Sequence, residues 1–201
     1  MNEVRILPIV EGDGECDAVP ILIRRIALSI DPGFVPTVLR PFRVSASKLL
    51  KKGELERSIE FAARKLQGRG GILVIVDCDW DNGCPARDGP NLLKRAGKAH
   101  KNIPISVVLA KKEFESWFLA SAESLRGIRG LPKLLNPPKN PETIRGAKEW
   151  LSNRMPVGSR YAETTDQPAF TAKFDMKAAM RSDSFDKCHR EIVKLLTDLG
   201  K

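Results

Sequence analysis

The sequence lacks any long apolar run. No stretch approaches the roughly 18 consecutive apolar residues that a membrane-spanning helix needs, and the first apolar run stops at Glu11. That run is also too short for a secretory signal. We therefore expect a cytoplasmic protein that makes no membrane contact.

Cysteine and histidine are scarce, with four and two residues respectively in a chain of 201. The residues that come nearest to a zinc-binding set are Cys78, Cys84, Cys188 and His189. Their spacing matches no zinc module, so we expect free thiols. The sequence also contains no Walker A motif and no Gly-x-Ser-x-Gly motif, which argues against a P-loop NTPase and a serine hydrolase.

Positive charge is in surplus. The 34 Lys and Arg residues outnumber the 25 Asp and Glu residues, which gives a formal net charge of +9. A surplus of this size attracts polyanions and favours nucleic acid as a partner, although many basic proteins bind none. The 201 residues, 42% of them hydrophobic, suffice for one elaborated α/β domain with its own core.

Apolar periodicity predicts strands that alternate with helices. The predicted strands lie at residues 4–10, 35–44, 71–76 and 103–110, the second of them interrupted by Pro41. The predicted helices lie at residues 15–29, 53–66, 90–100 and 113–125. The run at 71–76 is apolar at every position, as in a central strand that is covered on both faces. This alternation predicts a compact α/β fold with a mostly parallel, Rossmann-like sheet flanked by helices.

The character of the chain changes after Ser124. Four prolines, Pro132, Pro137, Pro138 and Pro141, lie in a stretch with no strand pattern. Further helices are predicted at residues 141–151, 169–180 and 184–199. We therefore expect an α/β domain over residues 1–120 and a helical C-terminal extension over residues 121–201 that packs on it.

Acidic residues cluster directly after the predicted strands. Those after the first strand are Glu11, Asp13, Glu15 and Asp17; those after the third and fourth are Asp77, Asp79, Asp81, Glu113 and Glu115. The loops beyond the carboxyl ends of parallel strands meet in one crevice. Two carboxylates about 4 Å apart repel by about 4 kcal/mol at an effective dielectric of about 20, so such a cluster takes up protons or cations. Oxygen ligands favour Mg²⁺ or Mn²⁺.

Each acid also has an ordinary structural interpretation. Asp77 and Asp79 could cap the helix that follows them, and Glu11 could cap the first helix. Glu15 suits the first turn of any helix, because negative charge there interacts favourably with the helix dipole. The acids that we expect to be solvated are Asp13 and Asp17. Glu113 and Glu115 cannot share a helix face, and of the two we favour Glu115 as a site residue. Trp117 is expected in the core.

The three acidic segments follow a known arrangement: a Glu-Gly turn after the first strand, Asp-x-Asp after a later buried strand, and an acid after the next. They are Val10–Glu15, Val74–Asp81 and Glu113–Ala120. This arrangement resembles the TOPRIM domain of topoisomerases, bacterial primases and OLD-type nucleases. More closely, the chain is similar to a bacterial TOPRIM-like family named only as domain of unknown function 4276. The further shared segments are Cys84-Pro85, Tyr161 with Thr165–Pro168, and Arg181–Phe185.

The resemblance implies a TOPRIM-like sheet and a metal site. The candidate catalytic residues are Glu11, Asp77 and Asp79, which would hold Mg²⁺ or Mn²⁺, with Glu11 also a candidate acid/base. By analogy with the second metal of OLD-type nucleases, the further metal ligands are Glu15 and Glu115, with Asp81 as an alternate. Two metals about 3.5–4 Å apart would activate a water and stabilise the leaving oxygen. Those nucleases also use a lysine near the metals, for which the candidates are Lys111, Lys112, Lys173 and Lys177.

The expected function is a metal-dependent nuclease that acts on DNA or RNA. Members of such families often accompany ATPases in phage-defence gene pairs, so an ATPase is an expected partner by analogy. Tyr161, the only tyrosine, lies in the predicted tail away from the acids, which disfavours topoisomerase-type covalent attack. One alternative is a non-catalytic module that binds nucleic acid or an ATPase partner. Another is a metal-dependent phosphohydrolase, since Asp77-x-Asp79 also resembles the nucleophile loop of haloacid dehalogenases.

Overall fold

The computed structural model describes residues 3–200; residues 1, 2 and 201, which the predicted domain limits include, lie outside it. The strands are β1 (Arg5–Val10), β2 (Thr37–Val38), β3 (Phe42–Arg43), β4 (Gly71–Cys78) and β5 (Ile105–Lys111). The longer helices are α1 (Asp13–Ile30), α3 (Glu54–Leu66), α4 (Pro85–Ala99), α7 (Glu163–Thr171) and α9 (Asp183–Gly200). The shorter ones are α2 (Ala46–Leu49), α5 (Ser116–Ala120), α6 (Ala147–Ser152) and α8 (Met176–Ala179).

The sheet is parallel throughout the described residues, and the predicted α/β fold is confirmed. Its strand order is β2-β1-β4-β5, and β3 also pairs with β1. Because β1 lies inside the sheet, the chain moves from β1 to one side for β2 and β3 and to the other side for β4. Such a reversal is a topological switch point, where the loops beyond the strand ends diverge and leave a crevice.

Helices cover both faces of the sheet. Alternate strand residues point to opposite faces. Ile6, Leu73 and Val108 face the layer that contains α1, α9 and the C-terminal helices. Leu7 and Val74 face the layer that contains α3 and α4. Asp77 has the same parity in β4 as Leu73, so its side chain belongs to the face that carries the C-terminal helices.

The predicted strand at residues 35–44 is two separate two-residue strands, β2 and β3. Pro41 lies between them, and proline has no N–H to donate to a ladder. Both strands still pair with β1, so the chain stays beside it. This interrupted strand brings the residues that follow it, including Ala46, to the carboxyl end of β1.

The C-terminal region is helical, as predicted, and the helix predicted at 184–199 is confirmed as α9, but the predicted helices before it are shorter or divided. The predicted helix at 113–125 is α5 followed by a 3₁₀ turn at Ala122–Leu125. The predicted helix at 141–151 is a 3₁₀ turn at Pro141–Thr143 and then α6, because Gly146 between them adopts a left-handed conformation (φ 74°). The predicted helix at 169–180 is divided into α7 and α8, and α7 begins earlier, at Glu163.

Aromatic side chains join the C-terminal helices to the sheet. Trp117 is fully buried, as expected, and its ring centroid lies 5.4 Å from that of Phe185 at the start of α9. Phe118 lies 5.6 Å from Phe170 of α7. These contacts fix α7 beside the carboxyl ends of the strands. No helix within residues 3–200 is both long enough and apolar enough to cross a membrane.

Candidate functional site

A cavity of about 230 Å³ lies at the switch point, beyond the carboxyl ends of β1 and β4. The residues that line it are Glu11, Gly12, Glu15, Asp77, Asp79, Glu115, Lys148, Glu163 and Gln167. Five of the six predicted metal-site residues are therefore at one place. The sixth, Asp81, is exposed in the turn after β4 and does not line the cavity.

Glu11 connects three segments of the chain. It directly follows β1, and its carboxylate accepts two backbone hydrogen bonds. The N–H of Ala46, at the start of α2, donates to Oε1 at 3.0 Å, and the N–H of Asp77, near the end of β4, donates to Oε2 at 3.3 Å. These bonds fix the side chain of Glu11 next to Asp77.

Glu15 caps the first helix from inside the cavity. Its Oε2 accepts the N–H groups of Glu11 at 2.7 Å and Gly12 at 3.1 Å, so the helix-end interpretation is confirmed. The side chain is only 3% exposed. Burial raises the pKa of Glu15 from 4.5 to about 7, and the nearby carboxylate of Glu115 adds to the increase. The two backbone hydrogen bonds oppose it.

Asp77 does not cap the helix that follows it. Its Oδ1 accepts the N–H of Phe114 at 2.8 Å, which connects β4 to the segment before α5. Burial raises the pKa of Asp77 well above its usual range, with further contributions from Glu15 and Glu115. The side chain that bonds the N-terminus of α4 is Asp88, whose Oδ2 accepts the N–H of Cys84 at 2.9 Å. Asp79 is exposed to solvent and lines the cavity.

Glu115 is fully buried and lines the cavity. Its Oε1 accepts hydrogen bonds from the hydroxyl of Tyr161 at 2.9 Å and from the amide of Gln167 at 3.1 Å. Its Oε2 is buried with no hydrogen-bond partner within the described residues, and so is Oε1 of Gln167. Burial raises the pKa of Glu115 to about 7, although the ammonium group of Lys148 and the Tyr161 hydrogen bond oppose the change.

Glu113 has a different role from Glu115. Its Oε1 accepts the N–H groups of Gly146 at 2.9 Å and Ala147 at 3.0 Å, and its Oε2 accepts that of Lys148 at 3.3 Å. Glu113 therefore holds the N-terminus of α6 against the sheet. This contact places Lys148, in the first turn of α6, at the cavity. Of the two acids, only Glu115 lines the cavity, as we favoured from the sequence.

Residues 10–192 match the family described as Domain of unknown function (DUF4276). The chain belongs to this family. The matched range includes every residue that lines the acidic cavity. A search of curated proteins and a search of solved structures found no match.

The region after β5 contributes four residues to this DUF4276 site that sequence reasoning missed. They are Lys148, Tyr161, Glu163 and Gln167. The prediction that Tyr161 lies away from the acids is wrong, because its hydroxyl donates to Glu115. Burial and the adjacent carboxylate raise the pKa of this phenol. None of the four lysines considered from the sequence lines the cavity.

Among the described residues, Lys148 is the one lysine or arginine that lines the cavity. Its ammonium group forms an ion pair with Glu163. Burial opposes its charge, but the carboxylates of Glu115 and Glu163 outweigh that effect and raise the pKa of Lys148 above its usual range. Lys148 therefore carries a positive charge at neutral pH and offsets part of the negative charge around it.

The chemistry of the lining suits a hard divalent cation. Carboxylate and amide oxygens predominate, and buried oxygens of Glu115 and Gln167 have no partner within the described residues. Within residues 3–200, no three Asp, Glu, His or Cys side chains already surround one point as metal ligands do. The four cysteines, Cys16, Cys78, Cys84 and Cys188, are free thiols, as expected.

Proposed function

We propose that this DUF4276 protein is a metal-dependent nuclease of TOPRIM type that hydrolyses phosphodiester bonds in DNA or RNA. The observation that carries the proposal is the convergence of six carboxyl groups and one lysine in a cavity of about 230 Å³ at the switch point. A protein of net charge +9 attracts the phosphate backbone, whereas a cavity this acidic repels it unless cations are bound.

The residues that would hold Mg²⁺ or Mn²⁺ are Glu11, Glu15, Asp77, Asp79 and Glu115. The cation would activate water and stabilise charge on the phosphate oxygens. Glu11 is held in place by backbone N–H groups on both of its oxygens, so its orientation is fixed before substrate binds. The resemblance to OLD-type nucleases also supports an acid/base role for Glu11.

Lys148 is the residue that we assign to electrostatic stabilisation of the reacting phosphate. It is partly exposed at the cavity, and the ion pair with Glu163 limits the positions that its ammonium group can take. A fixed positive charge near a phosphate acts most strongly where water is excluded. Tyr161 takes no part as a nucleophile in this proposal, because burial and its hydrogen bond to Glu115 keep the phenol protonated.

A non-catalytic TOPRIM-like module that binds nucleic acid or an ATPase partner is the second candidate. The observation that favours it is the structural use of the acids. Glu11 accepts backbone hydrogen bonds on both oxygens, Glu15 caps α1, and Asp77 bonds the backbone of Phe114. Carboxylates with these roles would persist in a protein that has no nuclease activity.

The test is a cleavage assay that compares the wild type with Asp79→Asn. Asp79 is the sharpest choice, because it lines the cavity and its side chain makes no hydrogen bond or ion pair within residues 3–200. Labelled DNA and RNA, single- and double-stranded, are incubated with Mg²⁺, Mn²⁺ or EDTA. We expect hydrolysis that needs the cation and that falls by about 100-fold or more in the variant.

The matched control is Asp17→Asn, an exposed acid on α1 that does not line the cavity. It should keep the wild-type rate. Equal rates for the wild type and Asp79→Asn would show that a contaminant does the cleavage, and the nuclease proposal would be rejected. Binding of the same nucleic acids without any cleavage would favour the non-catalytic module. Release of phosphate from small phosphomonoesters would instead favour a phosphohydrolase.

A further inference from the structure

A second, larger cavity adjoins the acidic one. It has a volume of about 540 Å³, and Lys148 lines both cavities. Its walls are α6 and the loop of residues 153–160, which joins α6 to the segment before α7. Nothing in the proposed hydrolysis uses this space. A ligand that lay in it would reach the acidic cavity past Lys148.

The loop of residues 153–160 is anchored at both ends beside the acidic cavity. At its beginning, Ser152 Oγ donates to the carbonyl oxygen of Lys148 at 2.8 Å. Ser152 Oγ in turn accepts the N–H of Tyr161 at 3.1 Å, which closes the loop at its base. The Tyr161 hydroxyl then reaches Glu115 at 2.9 Å. The position of the loop is therefore tied to the acidic residues themselves.

Positive charge is concentrated in this part of the chain. Residues 126–160 contain eight Lys and Arg and two Glu, so their net charge is +6 out of +9 for the whole sequence. Of these charged residues, Lys148, Arg160 and the acid Glu149 line the larger cavity, and Arg160 is exposed. Its side chain makes no hydrogen bond or ion pair within the part of the chain that the structure describes. Ser159 and Asn153, two polar residues, line the same cavity.

We propose that this larger cavity is a binding subsite for the phosphate backbone of a nucleic acid strand, with Arg160 as its principal phosphate contact. The identity of the ligand rests on the proposed function. A strand bound here would place its next phosphodiester group beyond Lys148, in the acidic cavity. The subsite separates the two electrostatic requirements of the reaction. The acidic cavity binds cations, and the adjacent loop binds the anionic backbone.

The test is a binding measurement in EDTA, so that no hydrolysis occurs. Fluorescence anisotropy follows a labelled single strand of about 20 nucleotides at salt concentrations from about 50 to 300 mM. We expect Arg160→Ala to weaken binding by about fivefold and to reduce the slope of log K against log salt by about 0.7, the contribution of one phosphate contact. Arg160→Lys keeps a positive charge and should keep the wild-type slope.

The matched control is Arg64→Ala. Arg64 is an exposed arginine that forms no ion pair within residues 3–200, and it lies on α3, which covers the opposite face of the sheet. Equal slopes for Arg160→Ala and Arg64→Ala, or no binding by the wild type, would overturn the inference. If binding depends on Arg160 but Mg²⁺ and Mn²⁺ support no cleavage, the subsite stands and the nuclease proposal fails. If cleavage occurs and Arg160→Ala binds normally, the nuclease proposal stands and the subsite inference fails.

Discussion

Glu15 should make the metal-free protein less stable as the pH rises. The side chain is 3% exposed, and burial raises its pKa from 4.5 to about 7. The folded protein therefore retains a proton that the unfolded chain releases above about pH 4.5. The resulting loss of stability grows as the pH rises from 4.5 and is complete above about pH 7. Below pH 4.5 both states hold the proton, and no penalty remains.

The size of the penalty follows from the two pKa values. At about 1.36 kcal/mol for each pKa unit, the interval from 4.5 to about 7 corresponds to about 3 kcal/mol. About 2.5 kcal/mol of this falls between pH 5 and pH 8, because the unfolded chain has already begun to ionise at pH 5. Glu15→Gln carries no charge in either state. Its stability relative to the wild type should therefore rise by about 2.5 kcal/mol between the two pH values.

Urea unfolding followed by far-UV circular dichroism, in EDTA, measures this difference at about pH 5 and pH 8. Any cost of the substitution to the hydrogen bonds of Glu11 and Gly12 is present at both pH values and cancels in the comparison. Asp17→Asn, on the same helix but exposed, is the control, since its charge is hydrated in both the folded and the unfolded state. If the difference in unfolding free energy between the wild type and Glu15→Gln does not change with pH, the reasoning is refuted.

Two further predictions test the packing and the charge of the cavity. Gly14→Ala would place a Cβ 2.4 Å from Oε1 of Gln167 and from the carbonyl oxygen of Glu163, so it should destabilise the fold by about 1–3 kcal/mol. Gly97→Ala, which meets nothing within 4 Å in α4, should stabilise by about 0.5–1 kcal/mol in the same urea experiment. Second, Mn²⁺ should raise Tm in thermal unfolding, more at pH 8 than at pH 6, because protons on the buried carboxyls with pKa values near 7 compete with the cation. Asp79→Asn should reduce this increase, and an unchanged wild-type Tm would argue against a metal site.

The central strands could be predicted because they are covered on both faces. In β4, residues 71–76 are all buried and apolar, and so the run is visible without any periodicity. The strand extends two residues further, to Asp77 and Cys78, which lie beyond the predicted end of the strand at residue 76. Asp77 and Cys78 are strand residues because they pair with Ala110 and Lys111 of β5. Neither contact is local in sequence.

The C-terminal helices were harder to predict because distant contacts set their limits. Residues before α6 are held by Glu113, more than thirty positions away, which fixes the N-terminus of α6 at Ala147. At the start of α7, Asp166 accepts the N–H of Ala162 at 2.8 Å and also binds Arg129, 37 positions away. Apolar spacing carries no information about either contact, so it placed both helix starts at other residues.

Placement of the acids followed from one topological rule. Glu11 comes directly after β1, and Asp77 ends the apolar run of β4, so parallel strands alone bring them together. The rule says nothing about the residues that complete the cavity from the C-terminal helices. Lys148 and Gln167 lie in segments without a strand or a motif, and only the packing of α6 and α7 on the sheet carries them to the acids.

The energetic character of the cavity argues for a ligand rather than for a purely structural role. A protein that needed only caps and turns would gain nothing from burying Glu115 with one oxygen that has no partner among the described residues, since an unsatisfied buried acceptor costs about 1–3 kcal/mol. Glu15 adds a penalty of similar size above neutral pH. A cation that bound these oxygens would remove both penalties at once. Stability regained on cation binding is therefore the expected thermodynamic signature of the site.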